Sequence, residues 1–185
     1  MVARDEEQDC IRQIQNGDPQ AFEPLVRRYQ RMVHSLAYRM CGSAAEAEDL
    51  AQEIFIHVYR QIGNFRGESQ FSSWLYRIAV NLSLNWVRRD RRRERACREW
   101  GREWESATER EGDGAATLAR AQQVQAALQK LPPKQRAAIV LTVYQGLSHA
   151  EAARALGCSE TTVSWRLFAA RAKLKTQLKR HLLRP

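Results

Sequence analysis

The chain has 185 residues, of which 44% are hydrophobic and 28% charged, and its formal net charge is +9. These proportions suit one or two small soluble helical domains and exclude an intrinsically disordered chain. The basic excess points to a polyanionic partner. No run approaches the ~20 apolar residues of a membrane span.

The opening residues Met1 to Glu7 lack the apolar core of a secretory signal. The cytoplasm is therefore the expected location, with no direct membrane insertion. Cys10, Cys41, Cys97 and Cys158 are far apart and form no Cys-x-x-Cys pair, so reduced structural thiols are expected.

Apolar positions recur at helical intervals almost throughout, and strand-type alternation is absent. Asp18 followed by Pro19 predicts an N-cap and first helical residue, opening a helix to about Met40. Pro24 lies beyond the first turn of that helix and is expected to kink or split it. Gly42 then stops it. Ser43 and Glu46 have capping-box spacing and open a second helix to about Ile62, with Leu50, Ile54, Val58 and Ile62 on one face.

Residues 63–68 read as a loop bracketed by glycines. A third helix from Ser69 carries Phe71, Trp74, Leu75, Ile78, Ala79, Leu82 and Trp86, and it ends in the arginines of residues 88–93. Glu94 to Ala116 mixes Arg, Glu and Trp and reads as a linker, helical at first and flexible near Gly112 and Gly114. Trp100 and Trp104, four apart, suit either a partner or an intramolecular helix contact.

A second unit begins near Thr117. Leu118 to Leu131 is amphipathic, and Pro132-Pro133 separates it from a helix over about Lys134 to Gln145. Ser148 and Glu151 form another capping box before a short alanine-rich helix ending at Leu156. Gly157 suits the left-handed turn position, and Ser159 caps a last helix to about His181.

Small residues on the short helix let two axes cross closely, and Ala152, Leu156, Val163 and Leu167 form the expected small core. The pattern is a helix-turn-helix, whose second helix enters a DNA major groove by its N-terminal residues. Ser159, Glu160, Thr161, Thr162, Ser164, Trp165, Arg166 and Phe168 supply its exposed face. From Ser159 to Pro185 there are seven Lys or Arg against one acidic residue, which fits phosphate contacts from Arg171, Lys173 and Lys175.

Both halves together carry a resemblance. Asp49-Leu50-Ala51-Gln52-Glu53-Ile54-Phe55, Phe65-Arg66-Gly67-Glu68-Ser69 and Trp74-Leu75-Tyr76-Arg77-Ile78-Ala79-Val80-Asn81 are similar to the first domain of a bacterial sigma factor. Leu131-Pro132-Pro133-Lys134-Gln135-Arg136, Gly146-Leu147-Ser148 and Ala169-Ala170-Arg171-Ala172-Lys173-Leu174 are similar to the second. The chain thus resembles the compact extracytoplasmic-function (ECF) group of the sigma-70 family, over about residues 19–93 and 118–178. It is also similar to the sigma factor of a nickel and cobalt resistance system, although no residue identifies an inducer.

The resemblance implies an all-α chain of two small helical domains, residues 1–95 and 118–185, with a linker at 96–117. It implies binding to core RNA polymerase, recognition of the −35 and −10 promoter elements, and initiation at a stress or metal-response regulon, without cofactor. Asp49, Gln52, Glu53 and Phe55 become candidates for gripping the polymerase clamp. Asn64, Arg66, Ser69, Gln70, Trp74 and Asn81 become candidates for the melted −10 strand, and Arg88 and Arg89 for the duplex beside it. An unstacked base needs polar groups for its edge and cations for its backbone, which these residues supply. Trp74 suits core packing equally, since Phe71, Leu75 and Ile78 share its helix.

Ser159, Thr161, Thr162, Ser164, Arg166, Phe168, Arg171 and Lys173 become candidates for the −35 duplex. Many family members carry a small residue between a basic residue and arginine after the valine of this helix. Here Val163 is followed by Ser164-Trp165-Arg166, so sequence preference does not transfer. Trp165 suits contact with thymine methyl groups or sugars, or packing between domains, and Arg166 and Arg171 are better candidates for DNA contact. The family further implies a membrane-bound anti-sigma factor covering the faces around residues 49–55 and 131–144.

Two other classes fit the residues less well. A one-component repressor would use residues 1–95 for effector binding or dimerisation, which leaves the motif from Phe65 to Asn81 without a purpose. An enzyme would need a cluster of reactive groups. His34, His57, His149 and His181 lie on separate segments, and no nucleophile motif or phosphate loop is present. His34 and Cys41, seven apart, are conceivable metal ligands but suit a structural role better.

Overall fold

The computed structural model describes residues 2–99 and 115–182. Trp100, Trp104 and most of the expected linker lie outside the described residues. Among those described, all regular structure is helical. Eight helices run in order: α1 (Val2–Gln15), α2 (Phe22–Cys41), α3 (Ala44–Gln61), α4 (Phe71–Glu99), α5 (Ala115–Gln129), α6 (Pro133–Ile139), α7 (His149–Leu156) and α8 (Glu160–Leu182). A 3-10 turn at Ile62–Asn64 follows α3, and α6 runs on into a π-helical turn at Val140–Tyr144.

The first unit packs α2, α3 and α4 around Val33, Leu36, Met40, Leu50, Ile54, Phe71 and Leu75, all at most 1% exposed. Gly42 ends α2 in the left-handed region at φ 97°, where glycine carries no steric penalty. Ser43 then caps α3 by accepting from the Glu46 backbone N–H.

The start of the unit departs from the expected one. Helix α1 precedes it, packs on α2 and buries Ile11 and Ile14. Helix α2 begins at Phe22, and Asp18 instead accepts from the Gln20 N–H in the intervening turn. Pro24 therefore falls within the first turn, where its missing N–H has no helical partner to lose, and the expected kink has no cause. Helix α4 likewise starts at Phe71, with Gln70 providing the carbonyl for the Ser73 and Trp74 N–H groups.

The second unit packs α6 and α7 on α8. Ser148 and Glu151 close the capping box in both directions, and Gly157 sits in the left-handed region at φ 59°. The Thr162 N–H donates to Ser159 Oγ at 3.2 Å, which fixes the first turn of α8. Ala152, Val163 and Leu167 are buried as expected, joined by Ala153, Ala155 and Ala170, while Leu156 is only half-buried against them.

The two units meet along α4, which packs on α6 and α7, and at the end of α2. The last-turn carbonyls of α2 lack helical partners, and the second unit supplies them. Gln125 Nε2 donates to Tyr38 O at 2.8 Å, Gln129 Nε2 to Arg39 O at 3.2 Å, and Arg136 to Met40 O. Arg136 also donates to the Gln129 side chain and backbone carbonyl oxygens. Burial lowers the Arg136 pKa to about 10 by stripping water from the guanidinium, and the nearby Arg91 charge adds to the shift. The Arg39 guanidinium lies 3.6 Å above the Tyr144 ring centre, and Tyr76 of α4 donates to Gln145 at 3.4 Å. A side chain at Gly42 would meet Gln129 at 2.8 Å, so glycine also permits this approach.

Candidate nucleic-acid interface

Three surfaces gather the residues expected to act. The first is a pocket of about 290 Å³ between the loop after α3 and the start of α4. Asn64, Arg66, Ser69 and Trp74 line it together with Phe65, Glu68 and Arg77. Phe65 and Trp74 give it an aromatic side, backed by the buried Phe71. Phe65, Phe71 and Trp74 have ring centres 5.3–5.6 Å apart, with Phe65 and Phe71 edge to face. Trp74 is half-buried, so it both packs and presents a surface to the pocket.

Helix α1 holds the loop in place. Gln15 Nε2 donates to Ile62 O at 3.0 Å, which also accepts the Phe65 N–H of the 3-10 turn, and to Phe65 O at 2.9 Å. Gln70 lies outside the pocket at the mouth of α4 and caps it through its backbone. Asn81 is exposed farther along α4. Trp74, Arg77, Asn81 and Arg88 fall at intervals of three, four and seven, which sets them on one stripe of the helix. Arg77 was not singled out from sequence, although its spacing from Trp74 and Asn81 carried the signal.

The second surface is an open groove of about 810 Å³ between α2 and α3. Gln52 and Phe55 line it, along with His34, Glu48, Ala51 and Ile56. Ile56 is 51% and Tyr59 44% exposed, and Phe22 stacks edge-on against Phe55 and Tyr59. Asp49 is exposed on α3 but does not line the groove. Glu53 pairs with Arg89 of α4 at 3.3 Å, so one residue expected to meet polymerase is joined to one expected to meet DNA.

Ile56 and Tyr59 were missed because single apolar residues on a helix read as core. His34 lies in this groove. Burial pushes the Cys41 thiol up to about 11, and no cluster of three metal-binding side chains occurs among the described residues.

The third surface is α8. Ser159 and Thr162 share a hydrogen bond at 2.9 Å, and Ser164 bonds His149 of α7 at 3.0 Å. Thr161, Phe168, Arg171 and Lys173 are exposed. Arg166 is half-buried and donates to Cys158 Sγ at 3.4 Å, whereas Trp165 is 64% exposed. Cys158, with Cys10 and Cys41, is a free thiol.

Comparison with known proteins follows the same division. The Sigma-70 region 2 family matches residues 25–93, and the Sigma-70, region 4 family matches residues 121–174. The RNA polymerase sigma-H factor of Pseudomonas aeruginosa is 36% identical, with 96% of both chains covered. The ECF RNA polymerase sigma factor SigW of Bacillus subtilis is 36% identical over 91% of this chain and 95% of its own.

Among solved structures, CnrH in complex with the cytosolic domain of CnrY superposes with a TM-score of 0.70 at 28% identity, covering 94% of this chain and 97% of the other. The sigma factor RpoE of Bartonella quintana, in complex with the anti-sigma factor NepR, gives 0.69 at 26% identity over 85% and 96%. The chain belongs to the sigma-70 family of RNA polymerase sigma factors, in its ECF group.

Proposed function

We propose that the chain divides promoter recognition between two surfaces, with residues 1–95 opening the −10 element, 118–185 holding the −35 duplex and 96–117 joining them. The observation that carries this reading is the pocket after α3. An aromatic side, the Asn64 and Ser69 side chains and the Arg66 and Arg77 guanidinium groups converge on a space of about 290 Å³. That chemistry suits one unstacked base and its phosphate. Arg88 and Arg89 continue the positive stripe toward the flanking duplex.

Gln52 and Phe55 act with Ile56 and Tyr59 as the polymerase-docking face, where an apolar centre with a polar rim fits a protein partner. Asp49 and Glu53 lie at its edge. The protein works in the cytoplasm as an initiation factor and performs no bond-making chemistry of its own. The neighbours bound to CnrY and to the anti-sigma factor NepR support an equivalent regulator here, covering the α3 groove and the face of α6.

The test is transcription from supercoiled and pre-melted templates by core polymerase carrying the protein. Replacing Asn64 or Arg66 with Ala is expected to impair opening on the supercoiled template and to be rescued on the pre-melted one. Equal loss on both templates overturns the assignment of this pocket to melting.

A further inference from the structure

Helix α8 carries an aromatic ridge whose purpose the family match leaves open. Its buried side is Val163, Leu167, Ala170 and the partly buried Leu174. At 3.6 residues per turn, Thr161, Trp165, Phe168 and Ala172 point the opposite way. Trp165 is 64% and Phe168 75% exposed, the two most exposed large hydrophobic side chains among the described residues. Two such rings held in water have no role in the stability of α8.

The flanks of the ridge say what covers it. Ser164, Arg171 and Lys175 run along one side, and Thr162 and Lys173 along the other. An apolar crest between two rails of cations and hydroxyls is complementary to a major groove, whose floor carries thymine methyl groups and whose walls are phosphate. A protein partner would need carboxylates on both sides of an apolar furrow, a narrower requirement. Trp165 and Phe168 are ~4.5 Å apart along the helix axis, close to one base-pair step of ~3.4 Å.

We infer that Trp165 and Phe168 read the 5-methyl groups of thymines at adjacent positions of the upstream promoter element. This rests on the −35 role given above to residues 118–185 and names what that surface recognises. Arg166, turned back toward Cys158, does not set preference at these positions. Specificity at the crest is apolar, and the rails fix register without reading sequence.

The experiment uses the full chain bound to core polymerase and a linear template pool with a randomised upstream hexamer. The pool is made once with thymidine and once with deoxyuridine, which lacks only the 5-methyl group. Wild type is expected to enrich thymine at two adjacent positions. Transcription from the enriched template should fall about fourfold for each methyl removed, matching ~0.8 kcal/mol per buried carbon.

Trp165→Ala should lose one thymine preference and become indifferent to uridine there, while keeping the wild-type melting temperature. Phe168→Ala should do so at the neighbouring position. Absence of thymine enrichment, or equal sensitivity to uridine in wild type and both variants, overturns the inference. So does unchanged selection by Trp165→Ala with loss of binding to a protein inhibitor. If wild type yields no promoter-dependent transcript from any template, the −35 role itself fails, a result distinct from all of these.

Discussion

The pocket after α3 and the ridge of α8, the two surfaces proposed to meet nucleic acid, each carry a tryptophan, and they hold it in opposite ways. Trp74 is half-buried in a concave site, packed at a tilt against Phe65 and Phe71 and walled by a loop that α1 pins through Gln15. Trp165 stands out from a convex helix with nothing packed over it. A base taken out of its stack needs walls, and a closed duplex needs a crest. On the proposed reading, the same residue type is structural as well as functional in the first unit and functional alone in the second.

Substitution separates the two. Trp74→Ala removes one wall of the aromatic cluster and is expected to destabilise the first unit by about 2–3 kcal/mol, measured by denaturant unfolding. Trp165→Ala should stay within about 0.5 kcal/mol of wild type in the same assay. Equal destabilisation would erase the distinction.

Arg77→Ala probes the concave site without touching its aromatic side. Permanganate footprinting of the open complex should fall about tenfold, the worth of one charge-assisted hydrogen bond of ~1.5 kcal/mol. Upstream protection should be unaffected. Gln15→Ala removes the side-chain donor to the Phe65 carbonyl and leaves the Ile62 carbonyl only the Phe65 N–H, and should cost about 1–2 kcal/mol. Amide exchange over residues 62–66 reads that change, while exchange in α7 and α8 should not move.

The smallest effect concerns the turn that presents the ridge. Hydrogen bonds from the Ser148 hydroxyl and backbone N–H hold the Glu151 carboxyl below its usual range. A carboxyl depressed in the folded state stabilises fully above its unfolded pKa and loses that contribution as pH falls through the folded one. Ser148→Ala should therefore cost about 1 kcal/mol at neutral pH. The gap to wild type should narrow as Glu151 protonates.

Much of this was legible in the residues. Ser148, Gly157 and Ser159 mark the helix-turn-helix because capping and left-handed backbone have few chemical solutions. Gly42 and Ser43 mark the α2–α3 corner for the same reason. Helix α1 was not legible. Its acidic start and sparse apolar residues give a weak pattern, and Ile11 and Ile14 become core only once α2 is there to cover them.

The meeting of the two units was hidden too. Gln125, Gln129 and Arg136 read as surface residues on any hydropathy scale, yet they serve carbonyls nearly a hundred residues away. In the pocket, Asn64, Arg66 and Trp74 were found by motif, but Arg77 needed the helix phase that only a fixed start at Phe71 supplies. On α8 the turn of Arg166 toward Cys158 and the exposure of Trp165 were not legible, because both depend on packing.

The measurement closest to the central claim is run-off transcription with purified core polymerase, the full chain and a promoter library. A division of labour predicts transcripts that depend on both an upstream and a downstream element, with Arg77→Ala losing the downstream dependence on duplex templates and Trp165→Ala altering the upstream one. Absence of any promoter-dependent transcript, or a single element sufficient for both variants, would contradict it.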